Sequence, residues 1–178
     1  MKPVFFTCLT VLAIASCGTP KTYFTSSVRS DIEQHNIPVT KLQFYVDRDV
    51  ELRREVSSAN TKVSAGVVKF ENGKYVNIIT LNKKTPGVCT RAYGDKMDVA
   101  FEIGEGRYLT FGEVKRDSRA PYTLYADKWG KVYGEIKYDG LTYYILPGGS
   151  DARLMIKKDA LNTLQVNKRE MKGRKVES

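Results

Sequence analysis

Two tight-turn signals constrain the fold of this chain more than any other feature of its sequence. The first is Asn-Gly at residues 72–73, a pair typical of a two-residue hairpin turn because both positions need positive φ. Pairing outward from this turn places Glu71 opposite Lys74, which carry opposite charges. The next pair is Phe70 opposite Tyr75, two aromatic rings. The segment is therefore predicted to be a β-hairpin.

The second turn signal is Asp-Gly at residues 139–140, and its flanks specify the register of the pairing. Tyr138 falls opposite Leu141, and two residues further out Ile136 falls opposite Tyr143. Both strands then present apolar side chains on the same face. A slip of one residue would move all of these side chains to the other face, so the register is well specified.

Period-two alternation and closely spaced turn signals occur along most of the chain. Alternating apolar residues predict two further strands, one with Leu42, Phe44 and Val46 and one with Met97, Val99, Phe101 and Ile103. Other strand candidates lie near residues 50–55, 61–70, 88–92, 107–115, 121–126 and 152–157. Many short strands without a long helical pattern are typical of an all-β protein. The predicted fold is mainly β, a single antiparallel sandwich or barrel-like domain over residues 41–157.

The segments on either side of this domain differ from it in composition. Residues 17–40 carry Thr, Ser and Pro and few apolar side chains, which favours a tether. Within the tether, the capping-box pattern at residues 30–33 predicts a helical turn or two before Pro38. Residues 158–178 are predicted to form a short helix followed by a basic tail.

Residues 1–16 are typical of a secretory signal peptide. Lys2 precedes a mostly apolar stretch at residues 4–16, which is too short to cross a bilayer. Ile-Ala-Ser at residues 14–16 then leads directly into Cys17. This order, an aliphatic residue and two small residues before a cysteine, resembles the lipobox of bacterial lipoproteins. The general character of the chain also resembles that of the small outer-membrane lipoproteins common in Bacteroidota.

The resemblance implies a membrane anchor. In bacterial lipoproteins the cysteine that corresponds to Cys17 carries a diacylglycerol, and the signal is cut immediately before it. Two or three acyl chains hold a protein stably at a membrane, whereas one holds it only marginally. The resemblance also implies the outer membrane, because Gly18 stands where an Asp typically retains such proteins in the inner membrane. We therefore expect a lipid-anchored protein that faces the periplasm or the cell surface, with no cofactor besides the covalent lipid.

The sequence offers few residues for catalysis. His35 is the only histidine, and it lies in the predicted tether, where an oriented general base is not expected. Removal of Cys8 with the signal and acylation of Cys17 leave Cys89 as the one free thiol. A free cysteine usually packs like a small buried apolar residue. We therefore predict no catalytic residues and a buried Cys89.

Two groups of carboxylates are candidates for metal binding or catalysis. The first group is Asp47, Asp49 and Glu51, which alternate along the chain, so in a strand all three would project from one face and could bind calcium. However, arginines are interleaved with them, and the glycine of a calcium-binding loop is missing. We interpret them as solvated residues that form ion pairs across strands. Asp98 and Glu102 would lie about 13 Å apart along a strand, beyond the separation that glycoside hydrolases use. No metal site is predicted.

Aromatic residues are concentrated in the second half of the predicted domain. Exposed aromatic side chains on a sheet form protein-binding hot spots or stack on sugars, whereas buried ones simply pack. The candidate partner-binding residues of this region are Trp129, Tyr133, Tyr138, Tyr143 and Tyr144. The basic tail adds Lys168, Arg169, Lys172, Arg174 and Lys175, for which the alternative is a plain solvated terminus.

These observations favour a non-catalytic role. The chain has 29 Lys and Arg against 20 Asp and Glu, a net charge of +9, but no nucleic-acid-binding motif accompanies this charge. We predict an accessory or structural subunit of a cell-envelope protein complex that serves secretion, conjugation or outer-membrane assembly. The alternative is a glycan- or peptidoglycan-binding module. An enzyme such as a hydrolase is the third possibility, and a nucleic-acid partner is not expected.

Overall fold

The computed structural model describes residues 19–57, 66–114 and 117–166. In these residues the strands are, in chain order, β1 (Lys21–Tyr23), β2 (Gln43–Val46), β3 (Val50–Val56), β4 (Val67–Glu71), β5 (Lys74–Leu81), β6 (Pro86–Ala92), β7 (Lys96–Ala100), β8 (Tyr108–Gly112), β9 (Thr123–Leu124), β10 (Lys128–Trp129), β11 (Gly134–Tyr138), β12 (Leu141–Ile145) and β13 (Leu154–Lys157). Helix α1 spans Ser26–Gln34, a 3-10 turn spans Val39–Lys41, and helix α2 spans Lys158–Val166.

The strands form two antiparallel sheets that pack around one core. The first sheet has the order β1-β13-β2-β6-β7-β8-β9, and the second has the order β10-β11-β12-β3-β5-β4. Both sheets contribute side chains to one buried apolar cluster, among them Phe44, Met97, Phe111, Ile136 and Ile145. The predicted fold class is confirmed: the protein is mainly β, with two antiparallel sheets in a single domain and a short helix near the C-terminus.

Both predicted hairpins have the predicted register. The observed pairs include Glu71 with Lys74, Phe70 with Tyr75, Tyr138 with Leu141 and Ile136 with Tyr143. The four turn residues at 72–73 and 139–140 have φ values between 49° and 80°. The positive φ required by the turns therefore explains why these short sequences determine the pairing of their flanking strands.

Replacing Gly73 with alanine is expected to lower the free energy of unfolding by about 1 kcal/mol. The φ of Gly73 is 80°, yet a Cβ at this position would meet nothing within 4 Å, so the cost is one of backbone conformation alone. Gly94→Ala is the matched control, because its Cβ would also meet nothing and its φ is not in the left-handed region. Urea denaturation measures both variants, and equal losses of stability would contradict the explanation.

The segment expected to be a tether, residues 17–40, belongs to the domain from its first described residues onward. Strand β1 pairs with β13 at the edge of the first sheet. Phe24 and Ile32 are completely buried in the common core. The prediction that the domain begins at residue 41 is therefore wrong, because β1 begins at Lys21. These two side chains, together with the buried Val39 and the partly buried Val28 and Ile37, dock the segment on the core.

Helix α1 lies where the sequence predicted a short helix, but it begins earlier. The side chain of Thr25 caps the helix by accepting a hydrogen bond from the N–H of Val28, at 3.1 Å. The predicted cap, Ser30, lies inside the helix instead. The earlier start adds a turn of helix between the buried Phe24 and the buried Ile32.

Two strands of the sheets were not predicted. Strand β1 has three residues and β10 has two, so neither is long enough to display a period of two. The predicted signal peptide at residues 1–16, the anchor Cys17 and the basic tail lie outside the described residues. Within the described part of the chain, no helix is long and apolar enough to cross a membrane.

Candidate functional site

The outer face of the second sheet bears exposed aromatic residues. In β12, Tyr143 and Ile145 point into the core, whereas Tyr144 between them is 36% exposed. Because side chains alternate along a strand, Tyr144 and its cross-strand neighbour Arg53 lie on the outer face. Tyr133, which immediately precedes β11, is 47% exposed and packs edge-on against Tyr144, with the ring centroids 4.9 Å apart.

Further apolar side chains extend this exposed cluster. The N–H of Gly130 donates a hydrogen bond to the carbonyl of Tyr133 at 2.9 Å, which closes the turn between β10 and β11. The turn carries Val132, and Trp129 just before it is 52% exposed. We call the exposed residues Trp129, Val132, Tyr133, Tyr144 and Leu146 the aromatic patch. Tyr133, Tyr144 and Leu146 line the outer face, whereas the pairing of Trp129 with Gly134, and of Gly134 with Ile145, places Trp129 on the other side of the β10 edge.

A glycine positions the indole ring of the aromatic patch. Trp129 pairs with Gly134 across β10 and β11. A Cβ on Gly134 would lie 2.7 Å from the six-membered ring of Trp129 and 2.9 Å from the Cβ of Ala126. The indole therefore lies directly on the backbone of β11, in contact that a larger residue at position 134 would prevent. This contact holds the ring in one place before any partner arrives.

A groove adjoins the aromatic patch on the outer side of the second sheet. It has a volume of about 760 Å³ and runs from Tyr133 and Tyr144 across β3 to the hairpin of β4 and β5. Arg53 crosses the groove and pairs with Glu71, with Nη1 and Oε2 2.9 Å apart, and also pairs with Glu51. The hydrogen bond to Glu51 raises the pKa of Arg53 above its usual value. The guanidinium therefore stays charged and in a defined position.

A second ion pair completes the polar wall of the groove. Lys74 Nζ lies 2.8 Å from Oε1 of Glu55, and both side chains are well exposed. The two cations Arg53 and Lys74 thus face carboxylates of β3 and β4, whereas Arg54, which also lines the groove, lies over the ring of Tyr143. The aromatic patch is consequently bordered by paired polar groups, the usual arrangement around a protein-binding hot spot.

The structure separates the predicted aromatic residues into two groups. Tyr133 and Tyr144 lie together on the outer face, and Trp129 is exposed at the β10 edge of the same sheet. Tyr138 and Tyr143 are buried on the inner face, so the prediction that they bind a partner is wrong. They face the core because their register places them beside Ile136 and Ile145, where apolar side chains are gathered.

Both buried tyrosines use their hydroxyl groups inside the protein. Tyr143 donates a hydrogen bond to Oδ1 of Asn77 at 2.6 Å, and Tyr138 donates one to Oε1 of Glu102 at 2.5 Å. Burial and the hydrogen bond to Glu102 raise the pKa of Tyr138 far above its usual value. Both hydroxyls are therefore already engaged by side chains of the protein and are not available to a partner.

Arg53 and its partners were missed as part of the site. The pairing of Glu71 with Lys74 follows from the hairpin register. The residues between β3 and that hairpin contain no turn motif from which the pairing of β3 could be predicted. Only the order β3-β5-β4 brings Arg53 and Glu71 to opposite sides of one central strand. The alternation of charges in β3 is the sole local sign that this strand has a solvated face.

The residues considered for catalysis have structural surroundings. His35 follows α1, is exposed, and its Nδ1 lies 2.6 Å from the carbonyl of Asp31. Cys89 is buried, as predicted, and burial raises the pKa of its thiol. Asp98 is buried and accepts hydrogen bonds from the hydroxyls of Thr110 and Tyr93. Among the residues that the structure describes, no three His, Cys, Asp or Glu side chains are placed to hold a metal ion.

The alternating carboxylates at 47, 49 and 51 do not share one environment. Glu51 pairs with Arg53 at the surface, and Asp49 accepts the N–H of Lys83 at 2.6 Å. The side chain of Asp47 is only 8% exposed and pairs with Arg153, with Oδ2 and Nε 2.8 Å apart. Glu51 is solvated, as interpreted, but its partner Arg53 lies on the same strand, β3. Asp47 does form an ion pair between the ends of β2 and β13, but it is buried and not solvated.

The fold and this surface define a class: a two-sheet antiparallel β domain with an exposed aromatic patch. Comparison of the chain with protein-family models, curated proteins and solved structures found no match. The functional conclusion therefore depends on the residues and geometry of this chain.

Proposed function

We propose that this protein is a non-catalytic lipoprotein of the bacterial cell envelope. Cys17 carries the lipid, at the outer membrane, and the β domain acts as an accessory or structural subunit of a protein complex for secretion, conjugation or outer-membrane assembly. The aromatic patch binds the partner protein. The single observation that carries the proposal is the exposure of Tyr133 and Tyr144, packed edge-on against one another on the outer face, with Trp129 exposed at the adjacent edge of the same sheet.

The composition and rigidity of the aromatic patch support a protein partner. Trp, Tyr and Arg are the residues most enriched in binding hot spots. Tyr144 lies on a paired strand, Tyr133 packs against it, and Trp129 rests on Gly134. Ordering these rings on binding costs little entropy because they already have fixed positions.

A glycan or peptidoglycan ligand is the second candidate function. The exposed indole of Trp129 supports it, because an indole face can stack on a sugar ring. However, the rings of Tyr133 and Tyr144 are inclined at 77° to one another and do not form a flat platform. The geometry therefore favours the irregular surface of a protein over a series of sugar rings.

Copurification from detergent-solubilised membranes tests the proposal. We expect a stoichiometric protein partner, and we expect Trp129→Ala, Tyr133→Ala and Tyr144→Ala each to weaken its binding by about 10- to 30-fold. Phe70→Ala is the matched control, since Phe70 is an aromatic residue of the same sheet that is exposed outside the aromatic patch. Its substitution should leave partner recovery unchanged.

Two results would contradict the proposal. Unchanged recovery of the partner in all three variants would remove the aromatic patch from the interface. A monomeric protein that retains a sugar, and loses it in Trp129→Ala, would favour the glycan-binding function instead. Mass measurement of the native protein tests the anchor separately, because an unmodified Cys17 behind an intact leader would exclude lipidation.

A further inference from the structure

The outer face of the first sheet has a character different from that of the second. At the edge where the chain enters the domain, Tyr23 pairs with Met155, and Met155 pairs with Tyr45. Leu154 and Ile156 on either side of Met155 belong to the buried core. The three side chains therefore lie on the outer face, where Tyr23 is 37% exposed, whereas Tyr45 is covered and only 9% exposed.

Cations surround these tyrosines. Lys21 lies opposite Lys157 in the pairing of β1 with β13, and its Nζ is 4.4 Å from the ring centroid of Tyr45. The guanidinium carbon of Arg153 lies 4.4 Å from the ring centroid of Tyr23. Cations placed over aromatic rings in this way keep their charge directed to solvent while their stems cover apolar surface.

The carboxylates of this face are buried, whereas its cations are accessible. The side chain of Asp47 is 8% exposed and is already engaged by Arg153. Further along the sheet, the side chain of Arg91 is 63% exposed and the nearby carboxylate of Asp98 is 4% exposed. Solvent therefore meets mainly positive charge here, in contrast to the groove of the second sheet, where cations and exposed carboxylates are paired.

The entry point of the chain places this face near the expected anchor. Only three residues lie between Cys17 and Lys21, the first residue of β1, so the two are four residue steps apart. Fully extended, four residues span at most about 14 Å. A lipid on Cys17 would therefore hold the β1 edge of the first sheet at the membrane surface, with no long tether between them.

We propose that the outer face of the first sheet, around β1, β13 and β2, lies on the anionic phospholipid surface of the membrane. That this face is held at the membrane rests on the proposed lipid anchor at Cys17. The positive charge of the face is a property of the fold and does not depend on the anchor. Lys and Arg are attracted to anionic headgroups, and tyrosine is favoured at the level of the headgroups. Trp129 and the aromatic patch lie in the other sheet, so they remain free for a protein partner.

Vesicle sedimentation tests this surface without the lipid anchor. The protein used is the chain from residue 17 onward with Cys17→Ser, which keeps every described element and the whole described core. We expect it to bind phosphatidylcholine vesicles that contain phosphatidylglycerol and not pure phosphatidylcholine vesicles. Binding should be lost at about 1 M salt, where the screening length falls to roughly 3 Å.

Two triple variants with the same change in net charge locate the surface. One removes cations of the first sheet: Lys21→Gln, Arg91→Gln and Lys157→Gln. The matched control removes cations from the outer face of the second sheet: Lys69→Gln, Lys74→Gln and Lys137→Gln. The first should weaken vesicle binding about 100-fold, and the second by less than about threefold. Equal losses in both variants, or no binding of the parent chain, would overturn the proposal.

The single tryptophan reports the orientation on the vesicle. Trp129 is the only Trp of the chain, so its emission should not shift when the protein binds. A blue shift would show that the aromatic patch enters the bilayer, and this would overturn the proposed orientation. Since the tested chain carries no lipid, failure of vesicle binding rejects the docking face alone. An unlipidated Cys17 in native protein rejects the anchor alone.

Discussion

Replacing Phe24 with alanine is expected to lower the free energy of unfolding by about 4 kcal/mol. Phe24 is completely buried, and its ring centroid lies 5.1 Å from that of Phe44 and 5.2 Å from that of Tyr122. The substitution leaves a cavity beside Phe44 and Tyr122, and the aromatic contacts with these two rings are lost with it. Urea denaturation followed by circular dichroism measures the loss.

The same experiment tests whether the N-terminal segment belongs to the domain. Gln34→Ala is the control in this segment, because Gln34 is exposed at the end of α1, and its substitution should change stability by no more than about 0.5 kcal/mol. If Phe24→Ala were equally mild, the segment would be a dispensable tether, as its composition suggested. A large loss would show that residues before 41 are needed for the stability of the core.

Replacing Asp47 with alanine is expected to lower the free energy of unfolding by about 3 kcal/mol. Its carboxylate accepts the backbone N–H of Arg153 and the Nε of the same residue, both at 2.8 Å. Without Asp47 the backbone N–H of Arg153 loses its acceptor. Among the residues that the structure describes, the guanidinium of Arg153 then keeps its hydrogen bond to the hydroxyl of Tyr23. Asp47→Asn is the control, because it retains an acceptor and should cost less than the alanine substitution. Equal losses would mean that the charge, and not the hydrogen bonds, stabilises this contact.

Asp47 also makes a pH-dependent contribution to stability. Burial by itself would raise the pKa of Asp47, but the hydrogen bonds from Arg153 and the charges of Arg153 and Arg48 outweigh burial and lower it. The folded pKa is thus below the unfolded value of about 3.9, so the stabilisation is present above that value and is lost as the pH falls through the folded pKa. Denaturation midpoints of the parent and Asp47→Asn should therefore differ at about pH 6, and the difference should shrink as the pH falls below about 3.9 and through the folded pKa. A difference that does not change with pH would contradict this assignment.

The sequence predicted those features of the fold that depend on residues close together in the chain. The registers of the two hairpins were predicted because both turns and their first pairs lie within a few residues, where positive φ and alternation act directly. The register also predicted that Ile136, Tyr138 and Tyr143 share one face of this hairpin. It could not establish which of the two faces a second sheet would cover.

The N-terminal segment was misjudged because composition is an average. Phe24 and Ile32 are isolated among Thr, Ser and charged residues, so the segment as a whole is typical of a linker. In the fold, one buried ring and one buried aliphatic side chain hold β1 and α1 against the core. Docking depends on these few contacts and not on the mean polarity of the segment.

The sequence by itself determined the all-β class, the two hairpins and the alternation of inner and outer side chains, because these follow from turn conformation and the period of a strand. Only the tertiary structure decided which aromatic residues stay exposed, and which distant charges meet. Arg153 and Asp47 are 106 residues apart, and Arg53 reaches Glu71 across an intervening strand. Such contacts depend on the order of strands in the sheets, which results from packing among distant segments and leaves no local pattern.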